Sequence, residues 1–215
     1  MLDGHCHILY GIDDGAKDFN ESIAMLIAAK AAGVTGIVAT PHVNDAHFDF
    51  SLAQERKEEL TEYANHFGIR LKLGSEVQWQ ALSEILTGDN LTRYCTEGTN
   101  EILIDFNLKG DLPKDMIKKI FALQRHGLKI IIAHPERYAC VQKEILVAKE
   151  WLNMGCSLQL DANVLLLSAF DNSKRSAAAM LKQGMYQSFA SDAHCARDYE
   201  RFFKSASKVR SRISA

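Results

Sequence analysis

The sequence predicts an α/β protein in which helices cover a parallel sheet. Amphipathic stretches of helical spacing are followed almost at once by apolar, β-branched runs, and a glycine stands at most of the junctions. The runs are apolar at nearly every position, as in Lys129-Ile130-Ile131-Ile132. Such near-continuous strands are typical of parallel sheets buried on both faces.

About seven strand-helix units follow one another along the chain. The first strand begins at Leu2-Asp3, and the helix after it has Asp18 and Glu21 at the spacing of a capping box. Asp111-Leu112-Pro113 is expected to start a later helix, because proline suits the first turn. The other strands are predicted at 35–39, 69–73, 101–104, 128–132, 156–160 and 185–190. Seven units permit a closed or distorted barrel or an open, doubly wound sheet.

The amino-acid composition is typical of a globular protein. The 215 residues carry 25 Lys+Arg against 27 Asp+Glu, and this balance gives no electrostatic reason to bind nucleic acid or an anionic membrane. No linker divides the chain, so residues 1–215 are predicted to form one domain. A signal peptide and an apolar run of about 18 residues are both absent, which predicts a cytoplasmic protein without membrane insertion. The five cysteines lack CxxC spacing and are interpreted as reduced thiols.

Metal-binding side chains recur at the carboxyl ends of the predicted strands. His5 and His7 are two residues apart, so both imidazoles point to one face of an extended strand, and Asp192 and His194 repeat that spacing. Active sites of parallel α/β proteins are built at this edge. The candidate ligands are His5, His7, Asp14, His42, Glu76, Asp105, His134, Asp192 and His194.

Imidazole and carboxylate ligands without thiolates suit manganese, zinc or iron better than calcium or magnesium alone. The set is larger than one site needs, which indicates two or three ions with some bridging carboxylates. Clustered ions lower the pKa of a shared water and stabilise both oxygens of a phosphate ester, so hydrolysis is the expected reaction. The other histidines, His47, His66 and His126, are expected to face solvent.

Two arginines follow candidate ligands by three residues. Arg137 comes after His134 and Arg197 after His194, and a guanidinium can bind a phosphoryl group through two parallel hydrogen bonds. The alternative for each is a structural pair with a neighbouring acid, such as Glu136 or Asp198.

The segment from His5 to Lys17 resembles the polymerase and histidinol phosphatase (PHP) superfamily. It is most similar to a bacterial branch of tyrosine-protein phosphatases from capsule and exopolysaccharide gene clusters. Further similar blocks occur in order over almost the whole chain. They are Thr40-Pro41-His42, Gly74-Ser75-Glu76-Val77, Leu103-Ile104-Asp105-Phe106, Ala133-His134-Pro135-Glu136-Arg137-Tyr138 and Ala190-Ser191-Asp192-Ala193-His194.

The resemblance implies a distorted (β/α)7 barrel of the PHP type with a trinuclear, usually manganese-containing centre. By motif position, the first ion would be held by His5, His7, Glu76 and Asp192. The second would be held by bridging Glu76 with Asp105 and His134, and the third by Asp14, His42 and His194. It also implies hydrolysis of phosphotyrosine on the tail of an autophosphorylating kinase that controls polysaccharide export. A metal-bridging hydroxide would attack phosphorus while Arg137 binds the phosphate.

The sequence departs from this branch in three places. Asp105 stands where the branch often has the longer glutamate, and the compressed segment after His194 makes Arg197 the candidate for the second phosphate-binding arginine. The chain is also shorter than usual, leaving one helix at about 198–213 to complete the fold. Asp161, which ends its own strand, is interpreted as an acid that supports a metal ligand and is not itself a ligand.

Two alternatives to a protein phosphatase stay open on the sequence alone. One is a small-molecule phosphatase of the same superfamily, acting on histidinol phosphate or a nucleotide-like substrate, although the short loops favour a protruding phosphotyrosine. The other is a non-catalytic, metal-stabilised binding module, which would need neither a complete ligand set nor the adjacent arginines. The sequence does not indicate an oligomeric state.

Overall fold

A computed structural model describes residues 1–106 and 112–213, without the side chains of residues 210–212. The strands are β1 (Leu2–Cys6), β2 (Gly36–Ala39), β3 (His42–Val43), β4 (Arg70–Leu73), β5 (Glu76–Gln78), β6 (Glu101–Asp105), β7 (Lys129–Ala133), β8 (Ser157–Asp161) and β9 (Ser188–Ala190). The α-helices are α1 (Phe19–Ala31), α2 (Phe50–His66), α3 (Leu82–Ile85), α4 (Met116–Arg125), α5 (Ala139–Lys143), α6 (Leu146–Asn153), α7 (Asn172–Lys182) and α8 (Ala196–Ile213).

The strands form two parallel sheets, ordered β1-β2-β4 and β3-β5-β6-β7-β8-β9. Each predicted strand is present, and two of them continue after a short break, since β2 passes into β3 and β4 into β5. The last strand lies beside the first, where His7 N donates to Ala193 O at 2.9 Å and Asp192 N donates to His5 O at 3.0 Å. The strands thus follow one another in sequential order, whereas a doubly wound sheet reverses its order at a switch point. The closed barrel itself stays a prediction.

The predicted helix boundaries are close to the observed ones. Asp18 caps α1 by accepting a hydrogen bond from Glu21 N at 2.9 Å, as the capping-box spacing predicts. Helix α4 begins at Met116, shortly after Pro113, while Asp111 lies outside the described residues. The last helix, α8, begins at Ala196, two residues before its predicted start.

The core has two parts, one on each sheet. Trp151 and Phe106 stack in the larger part, with ring centroids 5.3 Å apart. Helices α1, α2 and α8 cover the smaller sheet, where Tyr199 and Phe202 are fully buried. Among the described helices, none is both long and apolar enough to span a bilayer.

Candidate metal centre

Candidate ligands from five strand ends meet in one place. Three groups of side chains could each hold an ion, because their donor atoms lie within 4.8 Å of one another. The groups are His5, His7 and Asp192; His5, Glu76 and His134; and His7, Asp14, His42 and His194. Eight of the nine sequence-predicted ligands therefore come together.

The carboxylate of Glu76 lies at the centre of these groups and is fully buried. Its Oε1 is 2.9 Å from His134 Nε2 and 3.4 Å from His5 Nε2. Its Oε2 is 2.8 Å from His42 Nδ1 and 3.6 Å from His7 Nε2. The two oxygens thus face different imidazoles, which is the arrangement that a bridging carboxylate requires.

His5 and His7 turn the same ring atom inward. Their Nε2 atoms are 3.3 Å apart, and both lie near Asp192 Oδ1, at 3.2 and 3.4 Å. The outer ring nitrogens have separate partners: His5 Nδ1 is 3.1 Å from Gln159 Oε1, and His7 Nδ1 is 2.8 Å from Asp13 Oδ2. Because these oxygens accept hydrogen bonds from Nδ1–H, they favour the tautomer that leaves both Nε2 atoms free for a cation.

Asp13 and Gln159 hold two candidate ligands in place, and the sequence did not single them out. Burial raises the pKa of Asp13, but the hydrogen bond with His7 and those from the backbone of Gly15 and His42 outweigh it and set the pKa at about 2. The loop that carries Asp13 packs tightly, since a Cβ on Gly15 would lie 2.1 Å from the His7 carbonyl oxygen. The pair Asp13-Asp14 followed by this glycine was the available signal.

Asp14, His42 and His194 form the outer part of the centre. Asp14 Oδ1 is 3.2 Å from His42 Nε2 and 3.4 Å from His194 Nε2. The Asp14 side chain is 72% exposed, and those of His42 and His194 are 23% and 31% exposed. This group is accessible to solvent, in contrast to His5 and Glu76.

Backbone strain is concentrated at two candidate ligands. Among the described non-glycine residues, only His134 (φ 30°) and Asp192 (φ 48°) have a left-handed backbone. Such a conformation is unfavourable for residues with a Cβ and persists where the surrounding structure enforces it. Each residue directly or closely follows its strand, so the turn sends the side chain back over the sheet edge.

Electrostatics favours charged ligands in the buried part. Burial raises the pKa of Glu76, but the charge of His5 and the close contacts with His134 and His42 outweigh it, so the pKa is well below 4.5. Burial and the charge of Arg137 lower the pKa of His134, whereas Glu76 and Asp105 raise it, and the balance is a pKa of about 9. The positive charge of these protonated imidazoles balances the negative charge of the carboxylates.

The donors fit divalent cations that accept nitrogen and oxygen ligands. Glu76 Oε2 is buried and, despite its approach to His42, has no hydrogen bond of acceptable geometry. His134 Nδ1 is also buried without a hydrogen-bond partner. Several imidazole nitrogens and carboxylate oxygens around such unsatisfied atoms suit manganese, zinc or iron.

Asp105 lies at the same edge but outside the three groups. Its Oδ1 is 3.0 Å from the hydroxyl of Tyr138, and its Oδ2 accepts a hydrogen bond from Gln78 Nε2 at 3.2 Å. The Tyr138 hydroxyl also lies 2.7 Å from Ala133 O and accepts from Phe106 N at 3.0 Å. The Tyr138 hydroxyl thus holds the Asp105 carboxylate in place, which the sequence did not indicate. The role of Asp105 as a ligand stays a prediction.

Arg137 pairs with two carboxylates, neither of which is its sequence neighbour. Its Nη1 is 2.7 Å from Asp192 Oδ2, and its Nη2 is 2.5 Å from Asp161 Oδ2. The suggested structural pair with Glu136 is wrong, because Glu136 faces inward and accepts hydrogen bonds from Asp161 N and the Tyr186 hydroxyl. Asp161 therefore contacts the arginine and not a candidate ligand directly, a partner that the sequence did not indicate.

Arg197 is exposed and does not line the cavity beside Arg137. Its role in phosphate binding stays a prediction. His47, His66 and His126 are exposed, as expected. Cys6 is buried with its Sγ 3.0 Å from the Tyr199 hydroxyl, and the described cysteines form no disulfide.

Known proteins resemble this chain along most of its length. The family model for capsular polysaccharide synthesis, CpsB/CapC, matches residues 1–213. CapC from Staphylococcus aureus is 34% identical over 203 residues, which cover 90% of this chain and 77% of CapC. Tyrosine-protein phosphatase YwqE from Bacillus subtilis is 28% identical over 205 residues, which cover 90% of this chain and 77% of YwqE.

The fold is also found in a solved structure. The matching chain comes from a study of the crystal structures of YwqE from Bacillus subtilis and CpsB from Streptococcus pneumoniae, described as unique metal-dependent tyrosine phosphatases. The match has a TM-score of 0.80 at 23% identity and covers 100% of this chain and 94% of the other. It confirms the α/β fold class that the strand-helix pattern predicts.

Proposed function

This chain belongs to the capsular polysaccharide synthesis family CpsB/CapC, and we propose that it is a metal-dependent phosphatase that hydrolyses phosphotyrosine. One observation carries the proposal. Imidazoles from several strand ends surround the buried Glu76 carboxylate, and the guanidinium of Arg137 lies beside Asp192 of the same cluster. Cations and a guanidinium side by side are the groups that a phosphate monoester needs for binding and cleavage.

Up to three ions, with manganese first among the metals that fit, are assigned to the three groups of donors. In this assignment Glu76 would hold ions at two of the positions, because its two oxygens face different imidazoles, and Asp105 would complete one of them. Bound ions supply a lowered pKa for water and stabilise negative charge on the phosphoryl oxygens. Gln159 and Asp13 keep the Nε2 atoms of His5 and His7 directed inward.

Arg137 binds and orients the phosphoryl group in this proposal. A guanidinium has five N–H donors, and the contacts with Asp161 and Asp192 use only part of them. The side chain is 40% exposed, so its other donors are accessible from solvent. Burial lowers the pKa of Arg137, but the charges of Asp192 and Asp161 outweigh it and raise the pKa, which keeps the group positively charged.

The substrate we assign is the phosphorylated tail of an autophosphorylating tyrosine kinase in capsule or exopolysaccharide synthesis. We assign the reaction to the cytoplasm. The family description and the tyrosine-protein phosphatase names of several relatives support this choice. The exposed rim at Asp14, His42 and His194 also suits a phosphotyrosine that protrudes from a chain. Direct hydrolysis leaves no phosphocysteine, in keeping with the buried Cys6.

The experiment is a substrate panel measured with added manganese and with excess EDTA. Phosphotyrosyl peptides, p-nitrophenyl phosphate and histidinol phosphate are supplied at equal concentrations. We expect the highest kcat/KM on the peptides and no turnover in EDTA. Preference for histidinol phosphate would identify a small-molecule phosphatase, and full activity in EDTA would overturn the metal-dependent mechanism.

A further inference from the structure

A cavity of about 440 Å³ adjoins the metal centre. The side chains of Asp192, His194 and Arg137 form part of its wall, so it opens onto the proposed catalytic groups. Arg201 also lines it, although no sequence motif drew attention to this residue. Val164 and Leu167 add apolar surface.

The acidic groups of this cavity already have partners. Asp161 and Asp192 bind Arg137, at 2.5 and 2.7 Å. The Oδ2 atom of Asp198 accepts hydrogen bonds from the backbone N–H groups of His194 and Cys195, at 3.1 and 3.2 Å. The carboxylates are therefore occupied by contacts that hold the site together.

Arg201 differs from Arg137 in this respect. It is half-buried, and it forms no ion pair with any acidic residue in the described part of the chain. A half-buried guanidinium without a counter-charge among the described residues can bind an anionic group through its N–H donors.

The position of Arg201 separates it from the metal cluster. It follows Asp198 by three residues on α8, so it lies about one helical turn farther along the same face. Asp198 is itself bonded to the backbone next to His194. A ligand with its phosphate at Arg137 and His194 would thus reach Arg201 with a neighbouring part of the molecule.

We propose that Arg201 forms a subsite for an acidic side chain next to the phosphotyrosine of a substrate peptide. The proposal rests on the proposed function, because it takes the phosphate to bind at Arg137. The anion at Arg201 is a peptide carboxylate, while Val164 and Leu167 contact apolar parts of the same peptide.

The test uses three sets of phosphotyrosyl peptides of one length, with Glu, Gln or Lys at each position adjacent to the phosphotyrosine. In low salt we expect kcat/KM for the best Glu peptide to exceed that for the Lys peptide by roughly twofold to tenfold, mainly through KM. Arg201→Ala should remove the difference, and Arg201→Glu should reverse it. Turnover of p-nitrophenyl phosphate should stay unchanged in both variants.

Lys204→Ala is the matched control, since it removes one positive charge from an exposed position on the same helix. It should preserve the peptide preference. A wild-type enzyme that is indifferent to the adjacent charge would overturn the subsite, as would an Arg201→Ala variant that retains the preference. An equal loss on peptide and on p-nitrophenyl phosphate would assign Arg201 to the phosphoryl group instead. Absence of all phosphotyrosyl turnover beside good turnover of histidinol phosphate would refute the proposed function itself.

Discussion

The metal centre has a buried part and an exposed part that are built differently. In the buried part, His5 and Glu76 have side chains that are 1% exposed, and separate oxygens fix the rings of His5 and His7 from behind. In the outer part, Asp14 is 72% exposed and comes from the loop after β1. The difference indicates that the fold fixes the positions of the buried donors before any ion binds. The outer donors depend more on the bound ion to fix their positions.

This comparison has a thermodynamic consequence. Ligands held in place by the fold lose less conformational entropy on binding, so an ion in the buried part should bind more tightly. Water can also replace an exposed carboxylate as a metal ligand more readily than a buried one. Removing single groups from each part should therefore produce effects of different size and kind.

The largest effect is expected for Glu76→Ala. Its two oxygens face His134 and His5 on one side and His42 and His7 on the other, so its loss should release two ions together. We expect kcat to fall by at least about a thousandfold. Metal analysis that finds only one ion lost would contradict the bridging role. Glu62→Ala, on the exposed face of α2, is the matched control and should keep full metal content.

The second effect concerns Arg137, which contacts the buried part through Asp192 without being a ligand. Arg137→Ala should leave the metal content unchanged and lower kcat/KM by roughly a hundredfold to a thousandfold, as for loss of a preorganised transition-state donor. Arg137→Lys keeps the charge but not the planar fork, so its rescue should be incomplete. Turnover at the wild-type level in Arg137→Ala would remove this residue from the mechanism.

How far the sequence could predict these parts depends on spacing. The alternation His5-x-His7 and the position of His134 after an apolar strand define the sheet edge, so the fold and most ligands follow from local pattern. Partners from distant strands do not. The contact of Arg137 with Asp161 spans 24 residues, and that of His5 with Gln159 spans 154. The order of the strands in the folded protein brings such pairs together, and for His5 and Gln159 it does so across β9, which lies between β1 and β8.

In the outer part, Asp14→Ala should have a smaller effect than the two changes above. Its carboxylate pairs with His42 and His194 and belongs to one of the three groups, so we expect loss of a single ion and a fall in kcat of about tenfold to a hundredfold. Inductively coupled plasma mass spectrometry on the purified variant measures the number of metal ions bound per protein molecule. If Asp14→Ala lost every ion, the two parts would be one cooperative site and the comparison would fail.

The smallest effect is expected for Gln159→Leu, which tests whether the buried part owes its affinity to the residues behind the ligands. Leucine is close to glutamine in size but cannot accept the hydrogen bond from His5 Nδ1, so the ring is no longer held in the tautomer that directs a lone pair at Nε2 toward the ion. Partners of this kind contribute about tenfold to metal affinity. Titration with manganese should show that loss, while kcat at saturating manganese stays near the wild-type value because no reacting group has changed. Gln187→Leu, near the start of β9 and without contact to His5, is the comparison variant. Unchanged manganese affinity in Gln159→Leu would mean that burial alone orders His5.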